Sequence, residues 1–256
     1  MQIKQYSASN KTMELNNVKE LISKSNKITI LTGAGISTES GIADYRSPGG
    51  VWEQYKYVTL QEIMSDTKKR KYYWRYKKET IPSMSSAEPN EAHKAIGKLD
   101  QKGKLFYLLT QNIDGLHEKG GVSKERVVNL HGTNLEAICL SCKKIYDINK
   151  VLAELEACDY DPRCVECGGI IKPNTVSFGQ NLNPLHLEIS NQAIKDCDLF
   201  MALGSSLVVQ PVCTFVQAAH YFNKPIIIIN RDRTPYDDLA EYKLSDSLGK
   251  ILPEIL

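Results

Sequence analysis

Three kinds of residue in this chain could do chemistry: paired cysteines, a glycine turn able to hold phosphate, and histidines and carboxylates that follow apolar runs. The cysteines are the plainest. Cys139-Leu-Ser-Cys142 and Cys164-Val-Glu-Cys167 are two CxxC knuckles with residues 143–163 between them. Each knuckle offers two thiolates to one tetrahedral ion, and the separation is close to that of a two-knuckle zinc site. Four protein ligands leave no open coordination position, so the expected zinc is structural. Cys158, Cys197 and Cys213 have no partner at ligand spacing. The apolar surroundings of Cys197 and Cys213 mark them as small core residues.

The second feature lies between Ile28 and Trp52. An apolar run ends at Leu31 and turns through Gly33-Ala34-Gly35 toward an expected helix start at Ile36-Ser37. Two glycines let the backbone approach a phosphate, and a helix start offers free N–H groups and a positive dipole end. Thr38 stands where the third glycine of G-x-G-x-x-G would be, so the loop alone also fits a turn that binds nothing. Ser37, Asp44, Tyr45 and Arg46 then add a hydroxyl, a carboxylate, a ring and a guanidinium. A purely structural turn requires none of them.

Further polar clusters follow apolar runs. Leu105–Leu109 leads into Thr110-Gln111-Asn112-Ile113-Asp114-Gly115-Leu116-His117, and Arg126–Leu130 leads into His131-Gly132. Leu199–Leu203 leads into Gly204-Ser205-Ser206, and four isoleucines, 226–229, lead into Asn230. Open α/β sheets bind ligands at the carboxyl ends of their strands, which is where these clusters would stand.

The elements that must position them alternate. Met13, Leu15, Val18, Leu21 and Ile22 have helical spacing, Asn90 is a good N-cap for a helix through Leu99, and 183–196 and 211–222 read as helices. Ile170–Phe178 is expected to be extended, with Pro173 confining it to an edge or bend. The last helix is expected over Leu244–Leu256. The fold class is therefore α/β, a doubly wound, Rossmann-like parallel sheet with a small zinc-binding lobe inserted. The Rossmann-like part takes 1–50, 87–135 and 173–256, and the zinc ribbon 136–172. Residues 51–86, with their KKRKYYWRYKK run, form a helical insertion or cofactor loop. That run reads as a solvated helix whose aromatics cap a core, or as a lid or channel wall.

The 256 residues carry a formal net charge of +2, which gives no footprint for nucleic acid or for an anionic membrane surface. No apolar run approaches the roughly 20 residues of a membrane span. MQIKQYSASNK has no apolar h-region, so no signal peptide is expected. With seven cysteines, an odd number, reduced thiols and a cytoplasmic location are the simplest expectation.

The motifs GAGIS (33–37), SGIADYRS (40–47), TQNIDGLH (110–117), LHG (130–132), the two CxxC pairs, KPNTVSFG (172–179), GSSLVVQP (204–211) and IIIN (227–230) occur in an order that resembles the bacterial-type sirtuins, NAD-dependent protein deacylases. Asp44-Tyr45-Arg46 and Tyr73-Trp74 resemble the branch that includes mitochondrial sirtuin 4. The resemblance implies a role for each matched position. Gly33, Ala34 and Gly35 would cradle the NAD pyrophosphate, with Ser37, Asp44 and Ile113 also on the cofactor. Arg46 would sit near the phosphates, and Tyr45 would shield the reactive sugar carbon. Asn112 and Asp114 would line the nicotinamide pocket and take part in catalysis, and Gln111 would hold the nicotinamide ribose. Gly204, Ser205, Ser206 and Asn230 would bind phosphates and the adenosine ribose. Val176, Phe178 and Gly179, with Val208 opposite, would hold an acyl-lysine peptide as an added strand. His131 would be the general base that takes a proton from the ribose hydroxyl, giving nicotinamide, free lysine and O-acyl-ADP-ribose. His117 receives no catalytic role, and His93, His186 and His220 are expected to be structural or exposed.

Ala43 and Gln180 depart from the family's usual proline and glutamate. Sirtuins that remove acidic acyl groups carry Tyr-x-x-Arg before Pro-Asn. This chain has Tyr72-x-x-Arg75, but aligning on Tyr73-Trp74 puts Tyr76 in the arginine's place, so desuccinylation is not expected. The alternative within the family is protein mono-ADP-ribosyl transfer. An NAD oxidoreductase would leave the cleavage machinery unused, and a zinc-ribbon binding module would leave the strand-end clusters unexplained.

Overall fold

The computed structural model describes residues 8–256, with side chains from residue 13 onward; most of the N-terminal stretch read above lies outside them. The described strands are β1 (Ile28–Thr32), β2 (Leu105–Thr110), β3 (Val127–Asn129), β4 (Gly132–Cys139), β5 (Ile145–Asp147), β6 (Ile171–Thr175), β7 (Leu199–Leu203), β8 (Ile226–Ile229) and β9 (Tyr242–Leu244). Six form one parallel sheet in the order β3-β2-β1-β7-β8-β9. Every residue of β1, β7 and β8 is buried, as a parallel sheet covered on both faces requires. Alternate residues serve opposite cores. Ile28, Ile30, Met201 and Ile227 pack with the helices Ala8–Lys24, Glu91–Gln101 and Leu248–Ile255. Leu31, Phe200, Ala202 and Ile228 pack with Pro184–Asp196 and Thr214–Tyr221. The chain leaves β1 for β2 on one side and later returns to β7 on the other. The carboxyl end of β1 is therefore the topological switch point, where a crevice opens.

Two expected helices are different here. The segment after Gly35 forms two short 3₁₀ turns, Ala34–Ile36 and Thr38–Ser40, and Gly41 ends them at φ +81°. A turn of three residues cannot present the dipole of a long helix, so the cradle is a folded loop. At the other end, Leu244 closes the edge strand β9, and the last helix spans Leu248–Ile255. Three residues carry no readable period, so β9 is defined by its pairing with β8. The helix expected over 211–222 covers Thr214–Tyr221.

A second, three-stranded sheet in the order β5-β4-β6 is antiparallel and reaches a few residues beyond 136–172 on each side. Pro173 lies in its edge strand β6, as expected. The knuckles meet beside it, with all four thiol sulfurs within 4.8 Å of one another. Cys139 and Cys167 are 3.5 Å apart, and Cys142 and Cys164 are 3.6 Å apart. Zinc–sulfur bonds near 2.3 Å in a tetrahedron put sulfurs about 3.8 Å apart, so the donor set fits zinc. The Tyr146 hydroxyl donates to Cys164 Sγ at 2.9 Å, which stabilises thiolate there. A Cβ on Gly169 would lie 2.8 Å from Cys139 Sγ, so the first knuckle excludes a side chain at that position.

The basic-aromatic run lies on the helix Thr67–Ser86, with one face solvated and the other buried. Arg70, Tyr73, Trp74, Lys77 and Ile81 form a buried stripe at helical spacing, while Lys68, Lys69 and Arg75 face solvent. Trp74 is 1% exposed, packs among Cys139, Leu152 and Cys164, and donates from Nε1 to the Ile171 carbonyl at 3.2 Å. Arg70 holds the Asp161 carboxylate with Nε at 2.8 Å and Nη2 at 3.2 Å, a two-pronged pair with little exposure. The same helix faces the main cleft with Tyr73, Tyr76 and Lys77. It is therefore both the roof of the zinc lobe's core and a wall of the crevice.

Purified protein should hold one zinc per chain, and Cys142→Ser should lose it. In a Trp52→Phe background the loss should shift Trp74 fluorescence to the red, as the lobe opens around its largest buried ring. Trp74→Ala should destabilise the chain by about 3–5 kcal/mol in denaturant titration, the range for truncating a buried tryptophan.

Candidate active site

Five strand ends meet at a cleft of about 1110 Å³. Its lining includes Gly33, Ala34, Gly35, Asp44, Tyr45, Arg46, Gln111, Asn112, Ile113, His131, Val176, Phe178, Gly179, Gly204, Ser205, Ser206 and Asn230. Ser37 and Asp114 line a smaller cavity of about 210 Å³ that shares Ala34, Tyr45, Asn112 and Ile113 with the first. Val208 lines neither and stands half-exposed beside Val209, which does. The residues picked out in the sequence as site candidates thus converge, with Val208 at the margin.

The cradle is built by two turns pressed together. Gly33 N–H donates to the Leu203 carbonyl at 3.0 Å, and Gly35 N–H to the Gly204 carbonyl at 2.8 Å. A Cβ on Gly35 would stand 2.7 Å from Gly204 O, and one on Gly33 2.8 Å from the same atom. Gly204 itself has φ +60°. These glycines are required first by backbone against backbone, before any phosphate arrives. Gln111 ties in the third strand: its Nε2 donates to Ser205 Oγ at 2.9 Å.

Behind the smaller cavity lies a buried polar network. Ser37 Oγ donates to Asp114 Oδ2 at 2.7 Å and accepts from Asn112 Nδ2 at 3.1 Å. Asp114 Oδ1 accepts the Leu116 N–H at 2.9 Å. His93 Nδ1 accepts from Asn90 N–H at 3.3 Å, so its other nitrogen carries the hydrogen and faces Ser37 Oγ at 3.4 Å. Burial pushes the His93 pKa down to about 4 against the pull of Asp114, so the ring is neutral. His117 is fully enclosed, with Nε2 2.9 Å from Thr32 Oγ1 and its ring 5.0 Å from that of His93. Its Nδ1 has no partner, and burial holds it neutral. His93 was legible from sequence only as a helical residue; its one signal was the position three after the N-cap Asn90.

His131 follows β3 and precedes Gly132, whose φ is +75° and whose Cβ would lie 2.1 Å from Asn174 O. Its Nδ1 lies 3.1 Å from the Gln111 carbonyl, which can only accept. Nδ1 therefore carries the hydrogen and Nε2 keeps its lone pair. Burial lowers the His131 pKa below 6.5, and the bond to Gln111 opposes this only in part. The result is a neutral imidazole, poised as a base, on the wall of the cleft.

The loop after the cradle is self-supporting. Asp44 Oδ1 accepts the backbone N–H of Arg46 at 2.9 Å and of Ser47 at 2.8 Å. Burial would raise the Asp44 pKa, but these bonds outweigh it and hold the carboxylate ionised. Arg46 lies 4.3 Å above the Trp52 ring. Trp52 in turn meets Tyr45 at 5.5 Å and Phe178 at 5.7 Å, and Phe178 meets Tyr57 at 4.7 Å. Trp52 and Tyr57 escaped the sequence reading because the single helical turn Val51–Gln54 and the residues after it are too short to show a period. Leu60 N–H donates to the Phe178 carbonyl and Val176 N–H to the His131 carbonyl, so two backbone groups of that segment are already engaged.

Known proteins give a consistent result. Residues 33–211 match the model of the Sir2 family. The NAD-dependent protein deacetylase of Thermodesulfovibrio yellowstonii is 42% identical over 243 residues, spanning 95% of this chain and 94% of that protein. NAD-dependent protein deacetylase 2 of Streptomyces coelicolor is 39% identical over 90% of this chain and 96% of its own length. A Sir2 structure with a deacetylated p53 peptide and 3′-O-acetyl ADP ribose superposes with a TM-score of 0.87 at 34% identity, covering 94% of this chain and 96% of that one. With cradle, cleft and four-cysteine lobe all in place, this chain belongs to the Sir2 family.

Proposed function

We propose that this protein is an NAD-dependent protein-lysine deacylase that releases nicotinamide, O-acyl-ADP-ribose and free lysine. The observation that carries the reading is His131: a neutral imidazole with its tautomer set by the Gln111 carbonyl, in one cleft with the β1–β7 cradle. NAD held in that cradle supplies a sugar carbon whose bond to nicotinamide breaks as the acyl amide oxygen takes its place. The protein's part is positioning and proton transfer. Gly33, Ala34 and Gly35, with Gly204, Ser205 and Ser206, fit the phosphates, Asn230 the far ribose, and Gln111 the near one. Ser37, Asn112, Ile113 and Asp114 fit the carboxamide in the smaller cavity, where an Asp114 carboxyl oxygen accepts from an N–H₂ group. Tyr45, Arg46 and Asp44 form the cover that keeps water from the sugar. His131 Nε2 takes the proton of the adjacent ribose hydroxyl and returns it to the departing amine.

Acyl-lysine proteins are the substrates in this reading, entering along Val176, Phe178 and Gly179 past Val208. The Sir2 relatives solved with peptide support that assignment. The zinc is structural, and we assign 136–172 as its module. No helix of the described residues is long and apolar enough to cross a membrane. A reducing, cytoplasmic setting suits seven free thiols.

Mass spectrometry of the protein with NAD and acyl-lysine peptides should show deacylated peptide, nicotinamide and O-acyl-ADP-ribose in equal amounts. ADP-ribose attached to protein, with every peptide intact, would replace this reading by ADP-ribosyl transfer. His131→Ala should lower deacylation by about 10²–10⁴-fold while NAD still binds. A base must be neutral, and burial depresses this one. Activity should therefore fall only as pH drops through a value below 6.5, read as the acid limb of kcat/KM. Gly35→Ala forces the two turns apart and should weaken NAD use by about 10²-fold.

A further inference from the structure

One cleft residue has no part in the reaction described above. Lys77 lies on the helix Thr67–Ser86, lines the same cleft as His131, and is 5% exposed. Its ammonium has three hydrogens to place. Among the described residues its one hydrogen-bond acceptor is Asn134 Oδ1, at a long 3.4 Å. The rings of Tyr76 and Tyr73 lie 5.1 and 5.5 Å from the nitrogen. Among the described residues no carboxylate forms an ion pair with it.

A second buried amine feels its charge. Lys172 is 1% exposed and donates to the carbonyls of Pro173 and Thr175. Lys172 is thus satisfied by backbone, whereas Lys77 is not. Burial first, and then the charge of Lys77, pushes the Lys172 pKa down to about 7, and burial lowers Lys77 itself to about 8. A cation kept in a dry wall, beside a like charge and without a counter-ion, is costly unless an anion completes it. A cleft for neutral acyl chains alone would be lined as well by methionine or leucine.

Its position says which anion. The cradle for phosphates is built by β1 and β7, together with the Asp44–Arg46 loop. Lys77 bonds instead to Asn134, three residues after His131, whose N–H is held by the Ile113 carbonyl at 2.9 Å. Thr175 and Val176 line the cleft on this side. This is the reacting end of the acyl-lysine, not the phosphate end of the cofactor. The Tyr-x-x-Arg pair weighed from the sequence is elsewhere: the Tyr72 hydroxyl accepts Lys56 N–H at 3.0 Å, and Arg75 lies 5.0 Å from the Tyr160 ring.

We propose that Lys77, backed by Lys172, makes the acyl end of the cleft a receptor for a carboxylate, so that the favoured substrates are lysines carrying dicarboxylic acyl chains such as succinyl or glutaryl. The inference rests on the deacylase reading and names its substrate class. Lys77 is a specificity residue: it meets the far end of the acyl group and touches no bond that breaks.

The test compares one peptide sequence bearing succinyl-lysine, its neutral succinamyl isostere or acetyl-lysine, with nicotinamide release and deacylated peptide measured together. Wild-type protein should process succinyl over succinamyl by about tenfold or more in kcat/KM, the scale of a hydrogen bond to a charged group. Lys77→Met should bring that ratio to one or below, and Lys77→Arg should keep it above one. A wild-type ratio of one or less would overturn the proposal, with no variant needed. So would an unchanged ratio in folded Lys77→Met, or a rise in the KM for NAD that is equal for all peptides, which would assign the amine to a phosphate. No turnover of any peptide, acetyl-lysine included, would remove the deacylase reading itself.

Discussion

The close approach of two backbone turns is the constraint on which the site depends. At the sheet's switch point the turns after β1 and β7 are joined by the Gly33–Leu203 and Gly35–Gly204 hydrogen bonds. The Cβ positions at Gly33 and Gly35 are closed by Gly204. This contact closes one side of the crevice, places Ser205 within reach of Gln111, and so links three strand ends. The glycine motif is usually explained by the ligand it admits. Here its N–H groups are used by the neighbouring strand, and the ligand inherits a surface that the fold had already made rigid.

The same economy of donors explains how a neutral histidine stands behind a buried carboxylate. Asp114 is buried and, among the described residues, forms no ion pair; it accepts from Ser37 Oγ–H and the Leu116 N–H. Ser37 can donate only once, and that hydrogen goes to Asp114 because Asn112 and His93 both present hydrogens to its oxygen. His93 can do so only while neutral and only in the tautomer that Asn90 selects. A helix cap thereby reaches the floor of the smaller cavity: the residue that starts the helix Glu91–Gln101 also sets the proton positions two bonds away. His131 has its tautomer set in the same manner by a carbonyl, at an anchorage separate from the buried network.

Strand ends and knuckles were legible because their signals are local. Apolar runs followed by polar words give β1, β2, β7 and β8, and the CxxC spacing gives the thiol cluster. What stayed hidden depends on pairing across the chain. β9 is three residues defined by β8, and the loop after Gly35 is turned by contacts with Gly204 that no window of sequence contains. His93 looked like an ordinary helical residue because its importance lies in Ser37, far away in sequence. The charge run at 68–78 was the hardest case, since one side of it is solvated and the other is buried against a lobe that the sequence places much later.

That run also shows how the zinc acts at a distance from the chemistry. The lobe's small core would have little to pack against without Trp74 and Ile81, and Arg70 fastens the helix to Asp161 beyond the first knuckle. Below roughly 40 residues a module rarely holds together by apolar burial alone, so the metal and the borrowed helix are both needed. Once the helix is clamped by Arg70 and Trp74, Tyr73 and Lys77 have no freedom to turn away, because one buried stripe carries all four. The wall of the cleft is thus set from the zinc side and the cradle from the sheet side. His131, between β3 and β4, is the residue at which the two sheets meet.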